Sequence, residues 1–295
     1  FALAGMIGCL PAFQSNQLIQ ITGDLAFSEI ENFNIFGGLA LAGITGIVVI
    51  GGLKRIAEVA TFLVPLMGSI YFGAMIVALT LNLNLVLPAF KLILVDAFNG
   101  TAIAGGTFFG VLIYGVRRGA FSNEAGMGTE SLVHGVAKVS NPVKQGLVAM
   151  TGPIFDTLII CTATALMILV SGVWETSSSQ GVTLTSEAFS VLLGSLGGFI
   201  LFVCVICFGL STIFTYSYYG ASCSRFLFGK FGMKFYIYLY ILSIFIYSIV
   251  PIDIAINIAD GAFAMMAIPT LISALWLAPK VMQASKNYFK LINNN

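Results

Sequence analysis

Between Ile113 and Gly135 the chain reads IYGVRRGAFSNEAGMGTESLVHG, the densest group of polar residues in an otherwise apolar sequence. Arg117, Arg118, Ser122, Asn123, Glu124, Glu130 and His134 are interleaved there with Gly115, Gly119, Gly126 and Gly128. Glycine adopts backbone conformations that other residues resist, so this spacing favours an unwound or kinked helix. In a bilayer every backbone polar group must be satisfied, and irregular backbone survives only where it is buried or lines a cavity. A broken helix exposes half-helix N-termini that attract anions and carbonyls that coordinate cations, an arrangement typical of secondary transporters. The competing reading is a solvated loop between two shorter spans. It would invert the side of every later loop and divide the basic residues between the two faces.

Other polar groups sit inside apolar runs. A charge at the bilayer centre costs about 2.5–3.5 kcal/mol on insertion scales, so it is kept where it faces a cavity or performs a function. Asp156 and Thr157 lie in TGPIFDTLIICTATAL; Asp156 is a functional candidate, a partner for an arginine, or a helix cap. Gln14, Asn16 and Gln17 lie in the first apolar segment, where helix-to-helix hydrogen bonding is the simpler reading. Ser211, Thr212, Thr215, Tyr216, Ser217, Tyr218 and Tyr219 cluster in FGLSTIFTYSYYG. Hydroxyl oxygens suit a hard monovalent cation and aromatic rings suit a pocket wall. The alternative is bonding back to the residues' own helix carbonyls. Asn257 and Asp260 are read as caps of the last span, and His134, the one histidine, as a packing or capping residue. Cys204 and Cys207 form a CxxC without a second Cys/His pair, and are read as buried helix residues rather than zinc ligands.

The composition says which elements must position these groups. Of 295 residues 58% are hydrophobic and 8% charged, and the mean hydropathy is +1.00. Such a chain cannot cover a soluble surface, and it is too apolar for disorder. A net charge of +1 without a basic cluster argues against a nucleic-acid binder. The apolar runs are continuous rather than alternating, so helices are expected, not a barrel. Eight spans are expected: Phe1–Ile21, Phe33–Gly51, Ile56–Leu79, a broken stretch Ala102–Val139, Val143–Ser171, Ala188–Phe228, Phe235–Val250 and Ile254–Ala278. Leu85–Phe98, with Pro88, Lys91 and Asp96, is read as an interfacial helix. The chain starts inside an apolar segment without Met, so an upstream part is expected.

Orientation follows from Lys and Arg in short loops, which stay on the cytoplasmic side. Lys54, Arg55, Lys138, Lys144, Arg225, Lys230, Lys234, Lys280, Lys286 and Lys290 fall on one side if the spans alternate. The opposite loops hold Asp24, Glu29, Glu31, Glu175, Glu187 and Asp253. A multi-pass plasma-membrane protein with a cytoplasmic C-terminus is expected. Lys91 falls in the external interfacial segment, and Arg117 and Arg118 fit no loop.

RRGAFSNEAGMGTES, with NPVKQGLVAMTGPIFDTLIICTATALMILVSG after it, resembles the signature region of the alanine/glycine:cation symporter family, the sodium:alanine symporters. QSN, GGLKRIAEVATFLVPLMGSIY, FGLSTIFTYSYYG and IADGAFAMMAIP are similar in the same order, so the resemblance covers nearly the whole chain. It implies an all-α membrane protein of the leucine-transporter type, two inverted five-helix repeats, here a single domain over 1–295. Core helices three to ten would be present and one and two absent. It implies sodium-coupled uptake of alanine or glycine by alternating access, with Na+ as coupling ion. No other cofactor, no enzymatic activity and no obligate protein partner are expected. By similarity Gln14, Phe121 and Tyr216 line the substrate pocket, beside Ser122 and Asn123 of the break, and Ser211 and Thr212 complete a sodium site. Glu124, Asp156 and Arg118 remain further intramembrane candidates. Tyr216 stands where the family usually has Trp, Ala221 where it has Glu and Thr270 where it has Asn. The alternatives are a proton-coupled carrier or channel titrating at Asp156, Glu124 or His134, and an inactive fragment. A membrane enzyme is disfavoured, because no HExxH, GxSxG or aspartate dyad occurs.

Overall fold

The computed structural model describes residues 1–27, 29–98 and 107–293, and among these every regular element is helical. The expected first span is in fact two helices, α1 (Ala2–Gly8) and α2 (Ala12–Ala26). Pro11 explains the division: it has no N–H to continue the ladder and drives Leu10 away from helical backbone. Helices α3 (Phe33–Val49), α4 (Gly52–Leu81) and α5 (Leu83–Ala97) follow, close to the expected second span, third span and interfacial segment.

The fourth stretch is broken, as its glycines predict. Its first residues, 102–106, lie outside the described residues. Helix α6 (Thr107–Asn123) is separated from the short α7 (Thr129–His134). Helix α8 (Pro142–Ser171) starts on a strong signal: Asn141 accepts a hydrogen bond from the Val143 amide at 2.9 Å, and Pro142 needs no partner at the first helical position. Within it, Ile154–Cys161 is wound as a π-helix. The turn α9 (Val173–Thr176) leads to α10 (Val182–Leu193). Gly194, at φ 70°, then separates α10 from α11 (Ser195–Ile249), so the expected Ala188–Phe228 span starts later than its hydropathy implies. Helix α12 (Ile252–Asn293) runs on through the basic tail.

Helix α11 folds back on itself at Gly229 (φ 67°, ψ −158°), and its two arms cover the expected sixth and seventh spans. The Tyr240 hydroxyl bonds the Ile213 carbonyl across the arms. A Cβ on Gly220 would lie 2.0 Å from the Tyr236 hydroxyl, so only glycine lets the arms close. This hairpin is the centre of the molecule and packs against α1, α2, α3, α4 and α10. Ile213, Tyr216, Tyr219, Tyr236, Tyr240 and Ile244 are buried there with Cys9, Leu18 and Ile19. Outside this core the surface is apolar: Phe226, Phe231 and Trp276 are 83%, 82% and 80% exposed. Helices α4, α8, α11 and α12 are long and apolar enough to cross a bilayer, and α3 and α10 are shorter apolar helices. Exposed apolar rings on such helices suit contact with lipid, so the chain is an all-helical, multi-pass membrane protein.

Candidate functional site

The break between α6 and α7 is built by three left-handed residues, Glu124 (φ 56°), Gly126 (φ 82°) and Gly128 (φ 88°). Glycine adopts this conformation freely, whereas for an L side chain it costs roughly 1–2 kcal/mol. Glu124 is therefore a strained position held by its surroundings. Its amide still bonds the Ala120 carbonyl at 2.9 Å, and its carbonyl accepts from the Met127 amide at 3.1 Å. Gly128 is needed for space as well as φ, since a Cβ there would lie 2.6 Å from Thr270 Oγ1 and 2.7 Å from the Phe1 ring.

Side chains of the break reach three neighbours. Toward α8, Ser122 Oγ donates to Asp156 Oδ2 at 2.6 Å and Asn123 Nδ2 donates to Thr157 Oγ1 at 2.7 Å. Across the break itself, the Glu124 carboxylate accepts from the hydroxyl of Thr129 at the start of α7. Toward α12, the Arg118 guanidinium binds both carboxylate oxygens of Asp260. Its central carbon lies 5.4 Å from the Phe121 ring centroid and 5.5 Å from that of Tyr114. One turn further along both helices, Phe121 meets Phe263 at 5.3 Å and also meets Phe13 of α2 edge-on at 5.4 Å. Thr270 closes the seam by donating to the Met127 carbonyl at 3.2 Å.

Several sequence expectations are resolved by this geometry. Arg118, which fits no loop, pairs with Asp260. Asp260 lies in the third turn of α12 and is not its cap. Asp156 bonds Ser122 and Thr157, so it is neither an arginine partner nor a cap. Phe121 packs against the core cluster that contains Tyr216, while buried Gln14 neighbours Phe13 on α2. The Ser211 hydroxyl donates to the Phe208 carbonyl of its own helix at 2.9 Å, and Thr215 bonds the Ser211 carbonyl. His134 Nδ1 is 2.6 Å from Gln145 Nε2, which ties α7 to α8. The partners Asp260, Thr129 and Thr270 were not singled out as site residues. Asp260, Phe263, Met266 and Thr270 do recur at helical spacing on one face of α12, and that stripe was the signal available.

The model of the sodium:alanine symporter family matches residues 1–295. The chain belongs to that family of membrane transporters. It is 35% identical over 299 residues to an uncharacterized transporter, YflA, of Bacillus subtilis, which covers 98% of this chain and 62% of the relative. It is 33% identical over 293 residues to the sodium/alanine symporter AgcS of Methanococcus maripaludis, covering 97% and 64%. An uncharacterized transporter of Haemophilus influenzae is 35% identical over 301 residues, covering 99% and 66%. The chain thus spans slightly less than two thirds of the length of these relatives.

Proposed function

We propose that the protein carries alanine or glycine into the cell by alternating access, driven by the sodium gradient. The observation that carries the reading is the glycine-built break at Glu124–Gly128, with polar groups converging on it inside an apolar helix. The core is of the leucine-transporter type. The pair α1 and α2 forms core helix three, α3 and α4 form four and five, and α6 with α7 forms the discontinuous core helix six. Helix α8 is core helix seven, the arms of α11 are eight and nine, and α12 is ten. Counted this way, the chain crosses the bilayer eight times, with its basic loops and C-terminus in the cytoplasm.

Substrate sits against the break. Gln14, Phe121, Ser122, Asn123 and Tyr216 line its pocket, and Ser211 and Thr212 complete the sodium site from α11. An aromatic wall sorts small amino acids by volume, because one methylene in an apolar pocket is worth about 1–3 kcal/mol. Arg118 and Asp260, with Phe121 and Phe263 one turn below them, close the external side; parting them admits substrate, and rocking of the repeats then opens the cytoplasmic side.

Alanine should bind the protein more tightly in sodium than in choline, as read by calorimetry, and equal affinity in both would remove the coupling. Thr212→Ala should weaken sodium activation more than it alters substrate choice, and the reverse result would move Thr212 to the pocket. One observation favours proton coupling instead: Asp156 and Glu124 are bonded to hydroxyls and to no basic side chain among the described residues. That reading expects uptake set by pH without sodium.

A further inference from the structure

Helix α8 contacts the break through an irregular turn, and the irregularity has a consequence for which residues can do so. Ser122 Oγ lies 2.6 Å from Asp156 Oδ2 and 3.4 Å from Cys161 Sγ. Asp156 and Cys161 are five residues apart. On a regular α-helix residues at that spacing point about 140° away from each other. In a π-helix the ladder closes at five residues, so they come into register. The segment Ile154–Cys161 is wound that way, and Thr162 Oγ1 reaches back 3.5 Å to the Thr157 carbonyl, five residues before it. The same winding leaves Thr157 free to hold Asn123 while its hydroxyl lies 3.1 Å from Asp156 Oδ2. Asn123 Oδ1 in turn accepts from the Ala125 amide at 2.9 Å, inside the break. A continuous chain of hydrogen bonds therefore runs from Asp156 through Thr157 and Asn123 to the Ala125 amide of the unwound backbone, and Ser122 joins it at Asp156.

We propose that Asp156 is a positioning residue for the break. Presented by the π-turn, it orients Ser122 directly and Asn123 through Thr157, and so fixes the last turn of α6 against α8. Its role is that of a hydrogen-bond acceptor, not of a charge that titrates or binds the ion. The inference rests on the transport reading for its kinetic test, but the geometry it describes does not depend on the solute.

An asparagine retains an acceptor oxygen for Ser122, whereas an alanine does not. The protein expressed from its complete reading frame should be reconstituted in proteoliposomes as wild type, D156N, D156A and S122A. Losing a hydrogen bond to a charged group is worth about tenfold or more. D156A and S122A should each raise the alanine concentration for half-maximal uptake by about that factor, with a smaller change in maximal rate. D156N should stay within about threefold of wild type, and the D156A/S122A double variant should be no worse than the worse single one. Hydrogen exchange at amides 122–128 gives a second readout independent of solute: faster in D156A and S122A, unchanged in D156N. Should D156A fail to reach the membrane, S122A carries both measurements. D156N as impaired as D156A, or a break whose exchange is unchanged in S122A, overturns the proposal. Wild type that shows no sodium-dependent uptake overturns the transport reading instead, and the exchange comparison then still decides the role of Asp156.

Discussion

Arg118 and Asp260 join helices 142 residues apart in sequence, in a region where an unpaired charge is costly. The pair is 29% and 23% exposed, and the Nε of Arg118 is buried without a partner. A guanidinium so placed draws its stabilisation from one carboxylate and two ring faces, and cation–π contacts of this kind contribute about 0.5–2 kcal/mol. Removing one charge leaves the other stranded, which for a fully buried pair costs about 3–5 kcal/mol and here somewhat less. D260N should therefore lower the thermal midpoint in detergent, and the double variant R118Q/D260N should recover part of the loss. A double variant less stable than either single one would show that the pair is not the coupled unit described here. The sequence marked Arg118 as anomalous, since it fell in no loop, but did not name its partner. A partner so distant leaves no periodic trace, and only the packing of α6 on α12 identifies it.

At the level of elements, the break was legible and the π-turn was not. Glycines at 126 and 128 announce positive φ, and the structure uses both that way. The strained Glu124 ahead of them carried no such sign, because its conformation is held by its surroundings, among them its bond to Thr129. The π-turn begins directly after Pro153, which lacks the amide that a regular ladder would use, yet a proline inside a span is as compatible with a simple kink. Pro11 was equally visible, but the hydropathy of Phe1–Ile21 is continuous across it, and the division into α1 and α2 is a backbone effect that hydropathy does not register. G128A should be damaging twice over, through its positive φ and through contact with Thr270 and Phe1. A loss of about 1–3 kcal/mol in stability is expected from the backbone alone. G146A on α8, where a Cβ meets nothing within 4 Å, is the control and should leave the thermal midpoint nearly unchanged. Equal effects of the two substitutions would mean that the break is not a specified conformation.

Over the whole molecule, the scarcity of charge is what the proposed topology rests on. Thirteen basic and twelve acidic residues in 295 leave few places for each, so their distribution carries topology. The turn at Gly229 falls between the segments expected as the sixth and seventh spans, and Arg225, Lys230 and Lys234 lie close to it in sequence. A cysteine placed at Lys286 should react with an impermeant maleimide only after cells are opened; reaction in intact cells would invert the proposed orientation. Close packing was harder to foresee. Gly8 against Met266 and Gly220 against Tyr236 are approaches between helices that no local pattern specifies. The central claim is coupling of a small amino acid to sodium, and one measurement addresses it directly. Proteoliposomes of the intact protein, given an inward sodium gradient, should accumulate labelled alanine above its external concentration, and the accumulation should vanish when choline replaces sodium. Accumulation that persists in choline and follows an imposed pH gradient would contradict the account.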